Sequence, residues 1–520
     1  MADVKISELP AASTINNSVD VLPIVTDGGL VTSRATPYQV LGAVLDATPI
    51  PSIGAVATGA IGAGYTVILN SDGTVSAVTG TASVIGTPGT IVSGIKNAQG
   101  VYVPNGGRVV VVYQETTNHY IQLILGTLSG STIIFGSPTT IATGDLDDLT
   151  FPTICVYEGS ALIWVTYSPT SDNQLYIIGV DTYEGVISLG TPVLADSTYL
   201  TSQAVACSLW VGSLTIGGKP CIAYQTTDGG IRATTFSMSG TSITSVNASI
   251  ELSTSTTTEI DGHQIDGTNV VFFFTEGSTG AVSFCEFSGS LTLSSTTSLP
   301  SLNLAQSTYS TSVLDDFNLL LAFAEATTGV LDAVVLELNY TTYAVTFGNR
   351  QLIDTTPSTG YGAISTYTYP NGTVGIFYNS QALDNLRTTV VQVDDGNIIK
   401  VDGVTTLVQG GNSSYMWTFP LANPLQNAIL YYNGVQNYVT YTASTTNLTD
   451  KNFIGYSYAD YANGDTAIIQ TLGSTIASQA GLTPGVQYYV TETGDPSATP
   501  GVPVVNAGTG LTTTSLLFNN

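Results

Sequence analysis

The chain has 520 residues, only 9% of them charged, with 37 acids against 10 bases and a formal net charge of −27. That length exceeds one ordinary core, so two to four domains are expected. That charge repels phosphate backbones and anionic lipid heads, which argues against nucleic acid or bare membrane as partners.

Thr, Ser, Gly and Val abound and Tyr, at 28, is the commonest aromatic, a composition suited to pleated, half-buried strands joined by many turns. Mean hydropathy is +0.27. The longest apolar runs, such as Val109-Val110-Val111-Val112 and Leu319-Leu320-Leu321-Ala322-Phe323, are nevertheless strand-sized, against the ~20 residues of a spanning helix. No membrane insertion is expected, and the opening MADVKISELP lacks an apolar signal region.

In chain order, residues 1–45 form a first module. Lys5-Ile6-Ser7-Glu8-Leu9-Pro10 precedes Val21-Leu22-Pro23-Ile24-Val25 and the turn Asp27-Gly28-Gly29. Residues 46–79 read as linker and strand, being rich in proline, glycine and alanine around 46–60.

From residue 80 a repeat sets in. An apolar strand ending in an aromatic recurs at Tyr113, Tyr167, Tyr224, Phe274, Phe323, Tyr378 and Tyr432, at intervals of 54, 57, 50, 49, 55 and 54 residues. After it come a polar turn, a second strand and a glycine hairpin, for example Ser129-Gly130, Glu184-Gly185 and Ser239-Gly240, where positive φ costs least in glycine. A third strand carries a Gly-x-Pro signature in Ile133-Ile134-Phe135-Gly136-Ser137-Pro138 and Ile187-Ser188-Leu189-Gly190-Thr191-Pro192. Proline lacks a ladder donor and belongs on an edge strand or its bend. With a short strand before each aromatic one, the unit has four strands in about 50 residues, which is a propeller blade. Val84-Ile85-Gly86-Thr87-Pro88 repeats the edge signature with no aromatic strand before it, and the seventh repeat lacks one. Residues 83–93 are therefore expected to complete the last blade and close the ring.

Residues 446–520 form a small C-terminal β module. Its strand candidates are Ala467-Ile468-Ile469-Gln470, Gln487-Tyr488-Tyr489-Val490 and Ser515-Leu516-Leu517-Phe518. The expected fold is thus all-β: a seven-bladed β-propeller over 80–445 between two small modules. Cys155, Cys207, Cys221 and Cys285 make no CxxC pair; they read as buried free thiols, consistent with assembly in a reducing cytoplasm.

ISELP, then VLPIV and a glycine turn, resembles the N-terminal particle-attachment segment of bacteriophage tail-fibre proteins. The repeats resemble propeller regions of cyanophage and marine-phage structural proteins. Thr446-Asn447-Leu448-Thr449, Asn452-Phe453-Ile454-Gly455 and Gln479-Ala480-Gly481-Leu482-Thr483-Pro484-Gly485 resemble the module that follows them. The resemblance implies a virion appendage, commonly a homotrimer. Ile6, Leu9, Pro10, Val21, Leu22, Pro23 and Ile24 would dock it on other virion proteins, with the propeller and the C-terminal module turned to a host-surface glycan or protein.

Catalytic patterns are sparse. Ser71-Asp72-Gly73 has neither the spacing nor the tryptophan of a sialidase box, and Arg108, Arg232, Arg350 and Arg387 fall at different points of their repeats. The only histidines, His119 and His263, read as exposed turn residues, too far apart for zinc and unsupported as a triad base. Glu115, Glu276 and Glu325 follow aromatic strands at similar positions; they are the candidates for carboxylate-pair glycosidase chemistry, against a plain role as the polar start of a loop. Asp145, Asp147 and Asp148 lie close together but without EF-hand spacing. Trp164, Trp210 and Trp417 offer faces for sugar stacking or for core packing. The reading is a non-enzymatic virion protein without metal or cofactor. The alternatives are a decoration protein that binds no host and a polysaccharide-degrading spike.

Overall fold

The computed structural model describes residues 51–520 apart from 144–151, 157–161, 168–173, 198, 209–218, 227–228, 255–259, 267, 356–363, 381–384, 395, 402–403, 411–415, 450, 478, 501–502 and 520. It also describes the strands Leu22–Thr26 and Gly29–Ala35. The chain divides into two compact units, Thr81–Thr445 and the combination of residues up to Gly80 with Thr446–Asn520.

Thr81–Thr445 is a β-propeller. Among the described residues seven antiparallel repeats each run inner, second, third and edge strand; in the first these are Ile95–Val103, Arg108–Glu115, Ile121–Ser129 and a broken edge, Thr132–Phe135 with Thr139–Ala142. Blades 4 and 5 are joined by one long strand, Leu291–Val313, which serves as the edge of one and the inner strand of the next. Each inner strand lies against the next in order, and that of blade 7, Met416–Pro420, lies against that of blade 1.

The edge of blade 7 comes from the start of the unit. Val84–Ile85 and Gly89–Val92 pair with Val435–Thr442, the arrangement expected of residues 83–93. Tyr438 Oη accepts from Ile133 N and donates to Ile133 O, and Thr440 Oγ1 donates to Ser131 O, tying blade 7 to blade 1.

Apolar runs sit in the second strands because a blade is covered on both faces. Val109–Val112 and Phe272–Phe274 are fully buried. Seven apolar clusters each join two successive blades, including blade 7 to blade 1 through Leu430, Phe419 and Tyr438 against Val109, Val111 and Tyr113. Each fully buried Val, Leu or Phe contributes about 1.5–3 kcal/mol, so the ring is held by its interfaces.

Gly-x-Pro marks the break in an edge strand. A Cβ at Gly190 would lie 2.0 Å from Thr241 O, and one at Gly86 2.1 Å from Thr440 Oγ1 and 2.9 Å from Ser131 O. Thr241 and Ser131 sit in the hairpins of the following blades. At these two kinks glycine is required because the next hairpin tip presses on them. Blade 5 keeps the device without proline, as Gly348-Asn349-Arg350, where a Cβ would lie 2.1 Å from Gly396 O.

The register corrects one position. Across the third strand, Tyr113 faces Gln122 and Tyr378 faces Arg387, each ahead of the edge-strand bulge; in blade 7 the equivalent residue is Tyr431, facing Asn437, and not Tyr432.

The second unit differs from the expected linker followed by a separate C-terminal module. Ser52–Val56, Thr66–Leu69 and Val75–Ala77 share a sheet with Phe453–Ser457 and Thr466–Gln470. Within the stretch that reads as linker, Ala57 is buried with Ile61, Val67, Ala467 and Ile469, while Gly54, Gly59 and Ala60 stay exposed. A second sheet holds Thr475–Ile476, Gln487–Val490, Pro496–Ser497, Asn506–Gly510 and Leu516–Leu517.

Candidate binding face

The second strand of each blade ends on one face of the ring, where it turns into the third, and the edge strand of the preceding blade ends beside it. The aromatics Tyr113, Tyr167, Tyr224, Phe274, Phe323, Tyr378 and Tyr431 stand at this rim. Their partners across the third strand are Gln122, Tyr176, Arg232, Ala281, Asp332, Arg387 and Asn437.

Two positions carry the same polar device. Tyr378 Oη donates to Asp354 Oδ2 at 2.6 Å, and Arg387 Nη1 donates to the same oxygen at 2.8 Å; Asp354 belongs to the edge of blade 5 and the other two to blade 6. Tyr224 Oη likewise donates to Asp196 from the edge of blade 2, with Arg232 opposite it. Burial, with the carboxylate beside them, pushes both phenols well above their ordinary value. The Asp354 and Arg387 side chains are 8% and 16% exposed, so the device clamps one blade to the next. Tyr113 and Tyr167, lacking it, are pushed up to about 12, chiefly by burial. In blade 5 the charges are rearranged: Asp332 takes the arginine position, and Arg350 of the same blade bonds it while lying 5.2 Å over the Phe323 ring.

Arg232 and Arg387 therefore occupy equivalent positions, which corrects the expectation that all four arginines differ. They stand in blades 3 and 6. Arg108 begins a second strand at its opposite end, and Arg350 lies at a kink.

Glu115, Glu276 and Glu325 are equivalent, two residues beyond Tyr113, Phe274 and Phe323. Each is engaged locally. Glu325 Oε2 accepts from Thr327 N, Thr328 N and Thr328 Oγ1, capping its own turn. Glu276 accepts from Ser253 of the preceding blade, and Glu115 from Asn118 and Gln122.

His263 is not an exposed turn residue. It lies in the inner strand Ile260–Gln264, where its Nε2 is 2.7 Å from Thr311 Oγ1 of blade 5, while Thr311 N and Oγ1 donate to Asp261 Oδ2 at 2.7 and 3.0 Å. Because the Thr311 hydroxyl serves Asp261, its lone pair meets an Nε2 that carries the proton. That order is opposite to a histidine drawing a proton from a nucleophile. Burial pushes Asp261 up and His263 down. The same register joins Ser310 Oγ to Thr366 and Trp417 Nε1 to Gly100 O, so these are stitches between inner strands. His119 does sit in a turn, with φ +59°.

Leu22, Pro23 and Ile24 lie in a strand paired with Ala35, Arg34 and Ser33. Ile6, Leu9, Pro10 and Val21 lie outside the described residues, as do Asp145, Asp147 and Asp148 and the side chains of Trp164, Trp210 and Cys207. Cys221 and Cys285 are buried and Cys155 is half-buried. Among the described residues no three His, Cys, Asp or Glu side chains converge as a metal site, and no helix is long and apolar enough to cross a membrane.

No protein-family model matches the chain, and no curated protein resembles it in sequence. Solved structures similar to it include the six-bladed propeller lectin of Aleuria aurantia, at 15% identity and TM-score 0.37, covering 62% of this chain and 99% of that one. The WD40 domain of SCAP from fission yeast matches at 11% and 0.38, covering 69% and 98%. A periplasmic gluconolactonase of Pseudomonas aeruginosa matches at 12% and 0.40, covering 60% and 86%. Likeness at this level assigns no activity.

Proposed function

We propose that the chain is a non-enzymatic adhesive component of a phage particle, a tail fibre or similar appendage. In this reading it docks through its N-terminal segment and contacts the host surface through the propeller. The observation that carries it is the way the propeller is held in the chain. Thr81 N and Thr81 Oγ1 both bond Thr445 Oγ1, so the ring begins and ends at one place and forms a closed head inserted within another unit. The resemblance of both terminal segments to phage structural proteins supports the same reading.

The rim supports recognition of neutral, hydroxyl-rich surfaces. It offers the half-buried amides of Gln122 and Asn437, the Tyr176 phenol and the carboxylates of Glu115, Glu276 and Glu325, a set that differs from blade to blade, on a chain whose net charge discourages polyanions. Several copies on one particle would add weak contacts into avidity, and a homotrimer on the virion, with other virion proteins at its base, is the assembly proposed. A fluorescently labelled full-length chain, added to host cells and to cells stripped of envelope polysaccharide, should stain the first and spare the second. Equal staining of both, or of neither, would sink the adhesive role. Antibody labelling of intact particles tests the virion location.

A polysaccharide-degrading spike is the second reading, favoured by Glu276 and Glu325 at equivalent ends of adjacent blades. Incubation with envelope polysaccharide followed by sizing should show no shortening; shortening abolished by Glu276→Gln would establish this reading instead.

A further inference from the structure

The two five-stranded sheets of the smaller unit have the same topology. In spatial order one runs Ser52–Val56, Thr466–Gln470, Phe453–Ser457, Thr66–Leu69, Val75–Ala77. The other runs Thr475–Ile476, Leu516–Leu517, Asn506–Gly510, Gln487–Val490, Pro496–Ser497. In each, the first, fourth and fifth positions come earlier in the chain and the third and second later.

Their registers coincide residue by residue. Ile68 faces Ser76 and Leu69 faces Val75; 421 residues on, Tyr489 faces Ser497 and Val490 faces Pro496. Thr66, Val67 and Ile68 face Tyr456, Gly455 and Phe453 across a bulge. Gln487, Tyr488 and Tyr489 face Thr509, Gly508 and Asn506 across the same bulge, the second partners now 53 residues on. Hydrogen bonds outside the strands repeat as well. Gly64 N donates to Ser457 O as Gly485 N does to Gly510 O, and Leu69 N to Asn452 O as Val490 N to Val505 O. Asn70 N to Thr74 O and Gly73 N to Asn70 O are matched by Thr491 N to Asp495 O and Gly494 N to Thr491 O. The left-handed glycines match too: Gly64 and Gly485 at φ +77° and +79°, Gly73 and Gly494 at +84° and +92°. Only the outermost pairing differs, slipped by two residues, which keeps every side chain on its face.

From this we infer that the two sheets are one five-stranded element present twice in tandem, and that the propeller is a cassette carried in one connection of the first copy. The offsets of 421 and 53 differ by 368 residues, of which Thr81–Thr445 supplies 365. In the second copy the same connection is the short segment 498–505. That connection is the carrying position of the element: in copy 1 it holds a folded head whose ends meet, which costs the two flanking strands little closure entropy. The second copy offers an equivalent place for another head. This holds whether or not the propeller meets a host surface.

The test is a full-length chain with a second copy of residues 81–445 placed between Ala498 and Thr499. All three tryptophans, Trp164, Trp210 and Trp417, belong to the propeller, so tryptophan emission follows the heads alone and calorimetry follows both units. The expected result is doubled emission amplitude at an unchanged midpoint, with the smaller unit's midpoint moved by less than about 4 °C. A control insertion between Thr512 and Thr513, where Thr513 O and Thr514 O accept from Leu482 N and Gln479 N, should lower that midpoint further. Equal losses at the two places would overturn the inference. A second comparison needs no insertion. A Cβ at Gly455 would lie 2.0 Å from Gln470 O, and one at Gly508 2.2 Å from Leu517 O. Gly455→Ala and Gly508→Ala should lower the smaller unit's midpoint alike and leave the tryptophan transition in place; a neutral result for one of them would refute the equivalence.

Discussion

The propeller and the smaller unit are both repetitive, yet only the propeller's repeats are plain in the sequence. Each blade meets its neighbours through the same faces, so the same apolar second strand is required seven times. The two copies of the smaller element do not share an environment. Ile68 and Tyr456 of the first pack against Leu482, Tyr488 and Val490 of the second, whereas the matching Tyr489 and Thr509 are only half-buried. Equal backbones in unequal surroundings keep glycines and turns and let side chains diverge. Register is then the better witness to repetition than residue type.

Experiments can widen or close that contrast. Deleting residues 82–93 removes the edge of blade 7 and opens a ring in which every blade leans on two others. The tryptophan melt should fall by roughly 10 °C or more, while the smaller unit's transition stays. An unmoved melt would mean the ring does not depend on its closure. Next in size, Gly190→Val and Gly348→Val force a side chain into the following hairpin and should each cost about 2–3 kcal/mol in chemical denaturation. Gly136→Ala, whose Cβ would lie 3.6 Å from Leu125 O, should stay within about 0.5 kcal/mol. Similar costs at all three would remove the hairpin-in-kink account of the motif.

Smaller again is the rim clamp. Tyr378→Phe deletes a donor to a buried carboxylate and should cost about 1.5–3 kcal/mol. Tyr113→Phe loses only the 3.1 Å bond to the neutral Gln122 and should cost about 1 kcal/mol or less. The least effect is expected from the inner-strand pair, and its sign is diagnostic. His263 is held below its unperturbed 6.5, so its contribution is present above about pH 6.5 and lost as pH falls through the lower folded value. Asp261 is held above 3.8, so its contribution is present below about pH 3.8 and lost as pH rises through the higher folded value. Asp261→Asn should therefore steepen the loss of stability on acidification from pH 7, and His263→Gln should reverse it. Parallel pH profiles for the two variants would show that neither group is linked to folding.

Much of the propeller was legible in the residues: the seven strands, the edge signature and the displaced closing strand all follow from period, aromatic position and proline's missing donor. What was hidden depends on pairing. Tyr431 and Tyr432 are indistinguishable until register decides which stands opposite Asn437, at the edge-strand bulge. Arg232 and Arg387 seem unrelated along the chain because blade lengths vary, although both face the rim aromatic. His263 follows Asp261-Gly262, a turn signature in isolation, and only its pairing opposite Val271 reveals a strand. The segment 46–79 read as linker and strand because its proline, glycine and alanine are those of a connection. The partners of Ser52–Val56 and Thr66–Ile68 lie some four hundred residues away, beyond the reach of local pattern.

The meeting of the propeller's two ends has a mechanical consequence. Just outside it, Thr79 N donates to Asn447 Oδ1, Asn447 N to Thr79 O, and Asn447 Nδ2 to Ala77 O. Tension applied between residues before Ser52 and after Phe518 reaches this three-bond clasp before it reaches Thr81 or Thr445. While the clasp holds, the load short-circuits the ring, and the largest folded body in the chain is pulled along without being stretched.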